Sequence, residues 1–501
     1  MNIAPSLRTA AVVFGLVVPG IAGAQTAAPP PSAELSPPSE AGAAAIDAAL
    51  RDWAARMLGG TVDTAAMPLS VAAQDEAYRM ELALGGSFFD DMLVLDDGML
   101  AATVKPLEEG RWAILGASLP SKLRGEVRES PGAAPSTLAI GIESQQTTGT
   151  IDPALATTST FSTEITGYTT ERRSAEGVQS SRIGRMTGQA EWQPAGPGRV
   201  NIRGNSLVED YSGTSPLPGG SQMTVAIERM TGLTRIENFD VESLAPLLRT
   251  AFALGATARA DGKPAARPPG TAEEKTLARE LLGQVFALLD SFETEQRYTG
   301  ITLDAGPLMS GSLRRLEVGF ALSAPAGQSG FSLRLAMEGL ETKLIPEGAW
   351  RDIVPHRVAL SPNVSGIPKE ALLDYLRQAI DTEGANIEEE TMRLLGANPV
   401  TVGVDDLLVA LGPMRLTGGG SVELVNAVEA TGRAELRATG LDELIRHANA
   451  KPELKMATPV LIFLKGIGRQ KGAETIWTIT YSDSKMVVND TDLSDLMPSG
   501  R

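Results

Sequence analysis

The chain has 501 residues, 44 Lys and Arg against 61 Asp and Glu, two histidines and no cysteine. The absence of cysteine excludes a disulfide scaffold, thiolate-ligated zinc or iron–sulfur clusters and thiol nucleophiles. His356 and His447 leave little for imidazole-based metal or acid–base chemistry. The net charge of −17 opposes phosphate backbones and anionic membrane surfaces. No Lys/Arg cluster that would reverse this locally is evident, so no nucleic-acid partner is expected.

Residues 1–24 read as a signal peptide. Arg8 is the only charged residue in the first 33, and it precedes the apolar run Ala10–Val18, Pro19-Gly20 and the small-residue site Ala22-Gly23-Ala24. The run is shorter than the roughly 20 residues a spanning helix needs. Cleavage after Ala24 and a soluble periplasmic protein with no transmembrane span in the mature chain are the expectation.

Residues 25–42, proline-rich and almost without large apolar side chains, read as a flexible leader. Ile46, Leu50, Trp53 and Met57 then recur at helical spacing, and Gly59-Gly60 ends the helix. The period changes to two at Tyr78, Met80, Leu82 and Leu84. Asp96-Asp97-Gly98 reads as a turn between strands at 92–95 and 99–104. From 136 to 235 the chain is rich in Ser, Thr and Gly, with alternating stretches such as Leu138-Ile140-Ile142. Hydroxyl residues at every second position suit the wet face of a sheet that is apolar on its other face.

A helix over 240–254, capped by Asp240, carries Leu244, Leu247, Leu248 and Ala251 on one side. Residues 255–270 contain no Val, Ile, Leu, Met or aromatic and read as an exposed linker. Thr271 and Glu274 form the Thr-x-x-Glu capping box of the next helix, whose stripe Leu277, Leu281, Leu282, Val285, Phe286, Leu289 reads as core. The clearest strand signal follows. Leu316, Val318, Phe320 and Leu322 alternate, as do Phe331, Leu333, Leu335 and Met337, with 324–330 as the connection. The second set is the candidate apolar face, which helices, a partner or lipid must remove from water.

Residues 219–248 and 419–448 align without gaps, with seven identities: Gly219/Gly419, Gly220/Gly420, Ser221/Ser421, Val225/Val425, Thr231/Thr431, Gly232/Gly432 and Leu244/Leu444. In each, Gly-Gly-Ser starts a strand, Thr-Gly turns it, and a second strand leads to an amphipathic helix, followed by another apolar helix (272–290; about 454–465). This reads as a duplicated module.

Motifs of catalysis are sparse. Ser482-Asp483-Ser484-Lys485 matches Ser-x-x-Lys, but it lies between two strand patterns and reads as a hairpin turn. His447 sits near a helix end and His356 enters a strand, neither with a partner at ligand spacing. Asp90-Asp91, Asp96-Asp97 and Asp405-Asp406 lack calcium-loop spacing and read as solvated turns. No catalytic, cofactor-binding or metal-binding residue is assigned.

Several stretches resemble an uncharacterised family of exported proteins of Gram-negative bacteria. They are Ile46–Met57 followed by Gly60, Val354-Pro355 with Leu360, Ile367-Pro368 and Ala371-Leu372, and the ending Met486-Val487-Val488-Asn489 with Leu493 and Leu496-Met497-Pro498. Asp490 stands where that family's closing hairpin usually has Gly. The resemblance implies no established activity. It implies a distant likeness to AsmA-type envelope proteins, which present long apolar-faced sheets to lipid.

The expected architecture is therefore α+β, with long antiparallel sheets partly covered by amphipathic helix pairs in two related tandem modules. These span 43–310 (with the linker 255–270) and 311–498. The expected function is a non-enzymatic periplasmic envelope protein with a structural or interaction role. A carrier of lipid or another apolar ligand is the alternative, and a hydrolase with a site invisible in sequence the second. The expected partner is an envelope protein or lipid, without a cofactor; the sequence leaves the oligomeric state open.

Overall fold

A computed structural model describes residues 37–58, 64–88, 93–128, 134–152, 157–217, 220–260, 270–306, 309–323, 328–342, 354–382, 387–397, 399–425, 429–482 and 485–493. The signal-peptide and most of the leader reading, Asp90-Asp91, residues 261–269 of the linker, the connection 324–327, Asp483-Ser484 and the last eight residues lie outside them. The described chain is α+β with antiparallel strands, in two compact units, Met1–Asp290 and Ser291–Arg501. The boundary drawn from sequence stands at 310.

The first unit opens with helix α1 (Glu40–Leu58), which starts inside the segment read as leader. It lies on strands β1 (Leu69–Gln74), β2 (Ala77–Ala83), β5 (Met99–Pro106) and β6 (Trp112–Ser118). Ala43 packs there with buried Tyr78, Met80, Val104 and Ile114, and Ile46 and Leu50 close the cluster. Gly42 permits this approach, since a Cβ at that position would stand 2.1 Å from the Tyr78 hydroxyl. Arg51 pairs with Asp47 at 2.8 Å and donates to the carbonyls of Thr64, Met67 and Leu69, tying the incoming loop to the helix.

Strands β3 (Gly86–Phe88), β4 (Leu93–Leu95), β7 (Lys122–Val127), β8 (Ser136–Gly141) and β9 (Ser144–Asp152) complete two antiparallel paths that meet on β10 (Thr157–Ser174). One runs β1-β2-β5-β6-β9-β10 and the other β3-β4-β7-β8-β10. β10 changes partner at Gly167. Thr166 is opposite Ser144 of β9, and Thr169 is opposite Gly141 of β8. Gly167 has φ 59°, the left-handed region where glycine carries no Cβ penalty.

β10, β11 (Gly177–Gly196), β12 (Arg199–Pro216) and β13 (Gln222–Asp240) form a meander of 18- to 20-residue strands, each about 60 Å long. The apolar core on this sheet comprises Ile140, Ile142, Ile165, Tyr168, Ile183 and Met186. Helices α2 (Leu244–Ala260) and α3 (Ala272–Leu288) follow β13. Asp240 caps the turn into α2, accepting from the Glu242 and Ser243 amides and the Ser243 hydroxyl.

Two sequence expectations are corrected here. Helix α2 continues to Ala260, six residues into the linker reading. Thr231-Gly232 does not turn the chain: it lies in the middle of β13 opposite Ser206 and Leu207 of β12. A Cβ on Gly232 would stand 2.5 Å from the Ser206 Oγ, so this glycine serves close strand approach.

The second unit is a meander of β14 (Ser291–Asp304), β15 (Ser310–Ser323), β16 (Gln328–Thr342), β17 (Pro355–Pro368), β18 (Val400–Leu411), β19 (Met414–Leu424) and β20 (Ala430–Thr439). β20 pairs with β22 (Glu474–Ser482), which also carries β21 (Arg469–Lys471) and β23 (Lys485–Val488); β23 pairs with β24 (Thr491–Asp492). Ser482 and Lys485 are opposite each other, as the hairpin reading expects. Pro362 is held inside β17 at a register shift, where a missing N–H is tolerated.

Helices α4 (Lys369–Asp381) and α5 (Ile387–Ala397) connect β17 to β18. Helix α6 (Leu441–Ala450), a 3₁₀ turn (Pro452–Ala457) and α7 (Thr458–Ile467) connect β20 to β21. There Ala438, Leu441, Trp477 and Val488 form the core, with Leu416, Leu436, Leu461, Ile467 and Ile479 against it.

Candidate functional site

In an antiparallel pair, directly opposed residues share a face, so the register of the second unit assigns its faces strand by strand. Tyr298, Leu316 and Met337 are in one row, Gln296, Val318 and Leu335 in the next, Thr294, Phe320 and Leu333 in the next, and Phe292, Leu322 and Phe331 in the last. The rows continue through β17 and β18: Met337 is opposite Val358 and then Val409, Leu335 opposite Leu360 and then Leu407, and Phe331 opposite Val364 and then Val402. Along these rows the face is hydrocarbon on the four strands β15–β18, while on β14 Thr294, Gln296 and Tyr298 add polar groups to it, the Tyr298 hydroxyl donating to Gln296 Oε1. Phe292 and Phe320 meet on it with ring centroids 6.2 Å apart and ring planes tilted by 48°.

The opposite face is charged and internally paired. Glu317 accepts from Arg297 Nε at 2.6 Å and Arg315 Nε at 2.8 Å, and Arg314 reaches Glu338 at 3.1 Å. Burial raises the affinity of Glu317 for a proton, but the hydrogen bonds from Arg315 and Arg297 outweigh it and hold the carboxyl below its ordinary value. This face needs no partner.

The apolar face does. Phe331, Leu333 and Leu335 are 46, 39 and 41% exposed, Phe320 is 38% exposed, and Met337 is half-buried. The four residues named from sequence are therefore together on one side of β16, and three of them remain open to solvent. The helices of this unit do not close the gap. Among the described residues, α4 makes its main sheet contacts with β16 and β17, and the core under α6 and α7 is built on β19, β20, β22 and β23.

Other sequence candidates are scattered. His356 is exposed on β17, and His447 is in the last turn of α6. Asp405 and Asp406 are both exposed, because β18 shifts register between Val404 and Leu407 and turns neither side chain inward. Among the described residues no group of three His, Asp or Glu side chains converges in a way that could hold a metal ion. In the first unit a shallow depression of about 680 Å³ over β9–β12 mixes Phe161 and Ala190 with Thr160, Ser162, Gln189, Glu191 and Arg203.

Sequence reasoning missed one feature: the outward side of α7. Residues about 454–465 read only as a further apolar helix, and the alternation rules that found β16 say nothing about which side of a uniformly apolar helix stays exposed.

No family model, no curated protein and no solved structure matches the chain.

Proposed function

We propose that this is an exported, non-enzymatic cell-envelope protein that shields the acyl chains of lipid along the apolar sheet face of its second unit. The observation that carries the reading is the open row Phe320, Phe331, Leu333 and Leu335. These four side chains offer no hydrogen-bond donor or acceptor, so their natural occupant is one that asks for none. Each methylene covered contributes about 0.8 kcal/mol. The supporting sequence features are the Ala22-Gly23-Ala24 site and the resemblance to AsmA-type envelope proteins.

A finer reading of the architecture belongs here too. The seven identities between 219–248 and 419–448 and a strand leading into a helix in each segment (β13 into α2, β20 into α6) are the basis for two related modules in tandem, although Gly419-Gly420-Ser421 lies inside β19 instead of starting a strand, and the single strand β13 aligns with the end of β19, a connection and β20.

The test is to purify the chain from a periplasmic extract, sequence its N-terminus, extract it with organic solvent and identify lipid by mass spectrometry. The expected N-terminus is Gln25, and the expected extract contains phospholipid. The variant Leu333→Asp/Leu335→Asp is expected to lose that lipid with little change in melting temperature, because both side chains are already about two-fifths exposed. An extract without lipid, or a variant that keeps it, overturns the reading.

A further inference from the structure

The apolar face of the second unit is closed at one end. There Ser329 is opposite Ile367 and Phe331 opposite Val364, so the extra residue belongs to β17, where Gly366 has φ 90°. β16 alternates undisturbed, and Ser329 shares its side of the sheet with Phe331, Leu333 and Leu335. Val400, two residues before Val402 on β18, is on that side as well. Exposure changes abruptly between these neighbours. Phe331 and Val402 are 46 and 41% exposed, whereas Ser329, Ile367 and Val400 are 3, 7 and 0% exposed.

The cover is the helix pair α4–α5, which leaves the sheet after Pro368 and returns to it at Val400. α4 packs on β16 and β17. Ser365, on the other side of β17, is exposed, so the cover lies on the apolar side.

Two polar features meet at that end. The Ser329 hydroxyl is buried and has no hydrogen-bond partner. A buried hydroxyl left unpaired is destabilising, and native proteins rarely keep one without a use. The second feature is the start of α4. Its N-cap is Pro368, which makes no side-chain cap to the first amides of the helix. Pro368 is opposite Gln328, the neighbour of Ser329, and opposed residues are about 5 Å apart. Both features can donate a hydrogen bond. Charge does not select the ligand, because Lys369 and Glu370 balance in the first turn of α4. The covered end of the face therefore suits a hydrogen-bond acceptor carried at the end of a hydrocarbon chain.

We infer that a phospholipid acyl chain lies along β16 with its ester carbonyl at the α4 end, where the Ser329 hydroxyl donates to the carbonyl oxygen, and its methyl end toward Met337. Eight residues of strand separate Ser329 from Met337, about 26 Å, enough for one extended long chain. β16 begins at Gln328, so the glycerol and headgroup leave past the end of the sheet. This rests on the acyl-chain reading and adds the direction of the chain and the residue that reads its polar end.

The experiment is calorimetric titration of the delipidated full chain with a long-chain acyl lysophosphatidylcholine and with its ether analogue, in which a methylene replaces the ester carbonyl. Both lipids are kept below their critical micelle concentrations. The wild type is expected to bind the acyl lipid about fivefold more tightly than the ether. Ser329→Ala is expected to bind both lipids at the level of the ether. Without lipid it is expected to melt no lower than the wild type, since it removes an unpaired buried hydroxyl. Leu333→Asp/Leu335→Asp is expected to bind neither lipid. Equal affinity of the wild type for the two lipids overturns the inference and leaves the acyl-chain reading standing, whereas binding of neither overturns both. A Ser329→Ala chain that keeps the wild-type preference, or that melts clearly lower without lipid, overturns the assignment of Ser329.

Discussion

Glu317 concentrates the residue-scale electrostatics of the second unit, because one carboxylate on β15 receives two guanidiniums. Arg297 reaches it from β14 and Arg315 from its own strand, and its side chain is 15% exposed. Its folded-state affinity for a proton is lowered. The stability it contributes is therefore fully present above the unfolded glutamate value of about 4.3 and is lost as pH falls through the lower folded value. Glu317→Gln should cost about 1 kcal/mol at neutral pH, a modest figure because both arginines are partly solvated. Urea midpoints of wild type and variant, measured from about pH 7 to about pH 3, should converge in acid. A gap that stays constant would assign the loss to packing instead of charge. None of this was legible in the sequence: Glu317 and Arg297 are 20 residues apart, and only the strand register brings them opposite each other.

At the scale of the element, legibility follows the range of the interaction that decides the structure. Period-two alternation at 316–322 and 331–337 is local, and β15 and β16 are found where it indicates. The capping box is local too. Thr271 Oγ1 accepts from the Glu274 amide at 3.1 Å, while buried Glu274 accepts from the Thr271 and Gly270 amides at 2.9 and 2.7 Å. Thr271→Ala should therefore cost about 1 kcal/mol, whereas Thr271→Ser should stay within a few tenths; thermal melts of the two variants test the pair, and equal melts would remove the hydroxyl from the account. The end of α2 escaped for a different reason. Lack of large apolar side chains argues against a core, not against a helix, and Ala256, Ala258 and Ala260 are the best helix formers available. The course of the chain at Thr231-Gly232 escaped because glycine inside a strand marks close approach as readily as a bend, and only the facing Ser206 decides between them. The branch of β10 between β9 and β8 depends on pairings that no local pattern encodes.

At the scale of the whole molecule, the acidic surplus and the open apolar surfaces oppose each other. The hydrocarbon of β15–β16 and of α7 favours association wherever two copies meet, while a net charge of −17 keeps them apart at neutral pH. That repulsion disappears toward the sequence pI of about 4.8. Delipidated protein should therefore remain dispersed at pH 7 in low salt and self-associate as pH falls from about 6 toward the pI. Added salt at pH 7 should reproduce part of the effect, since the screening length shrinks to about 3 Å at 1 M. Leu333→Asp/Leu335→Asp should suppress the acid-induced growth seen by dynamic light scattering. The matched control is Ser332→Asp/Ala336→Asp, which adds the same charge to the opposite face of β16 and should leave the growth in place. If both double variants behave alike, net charge alone governs solubility and the β16 stripe is not the surface through which copies meet. If only the stripe variant stays dispersed, the face found by alternation in the sequence is the one that must be covered when the protein is at work.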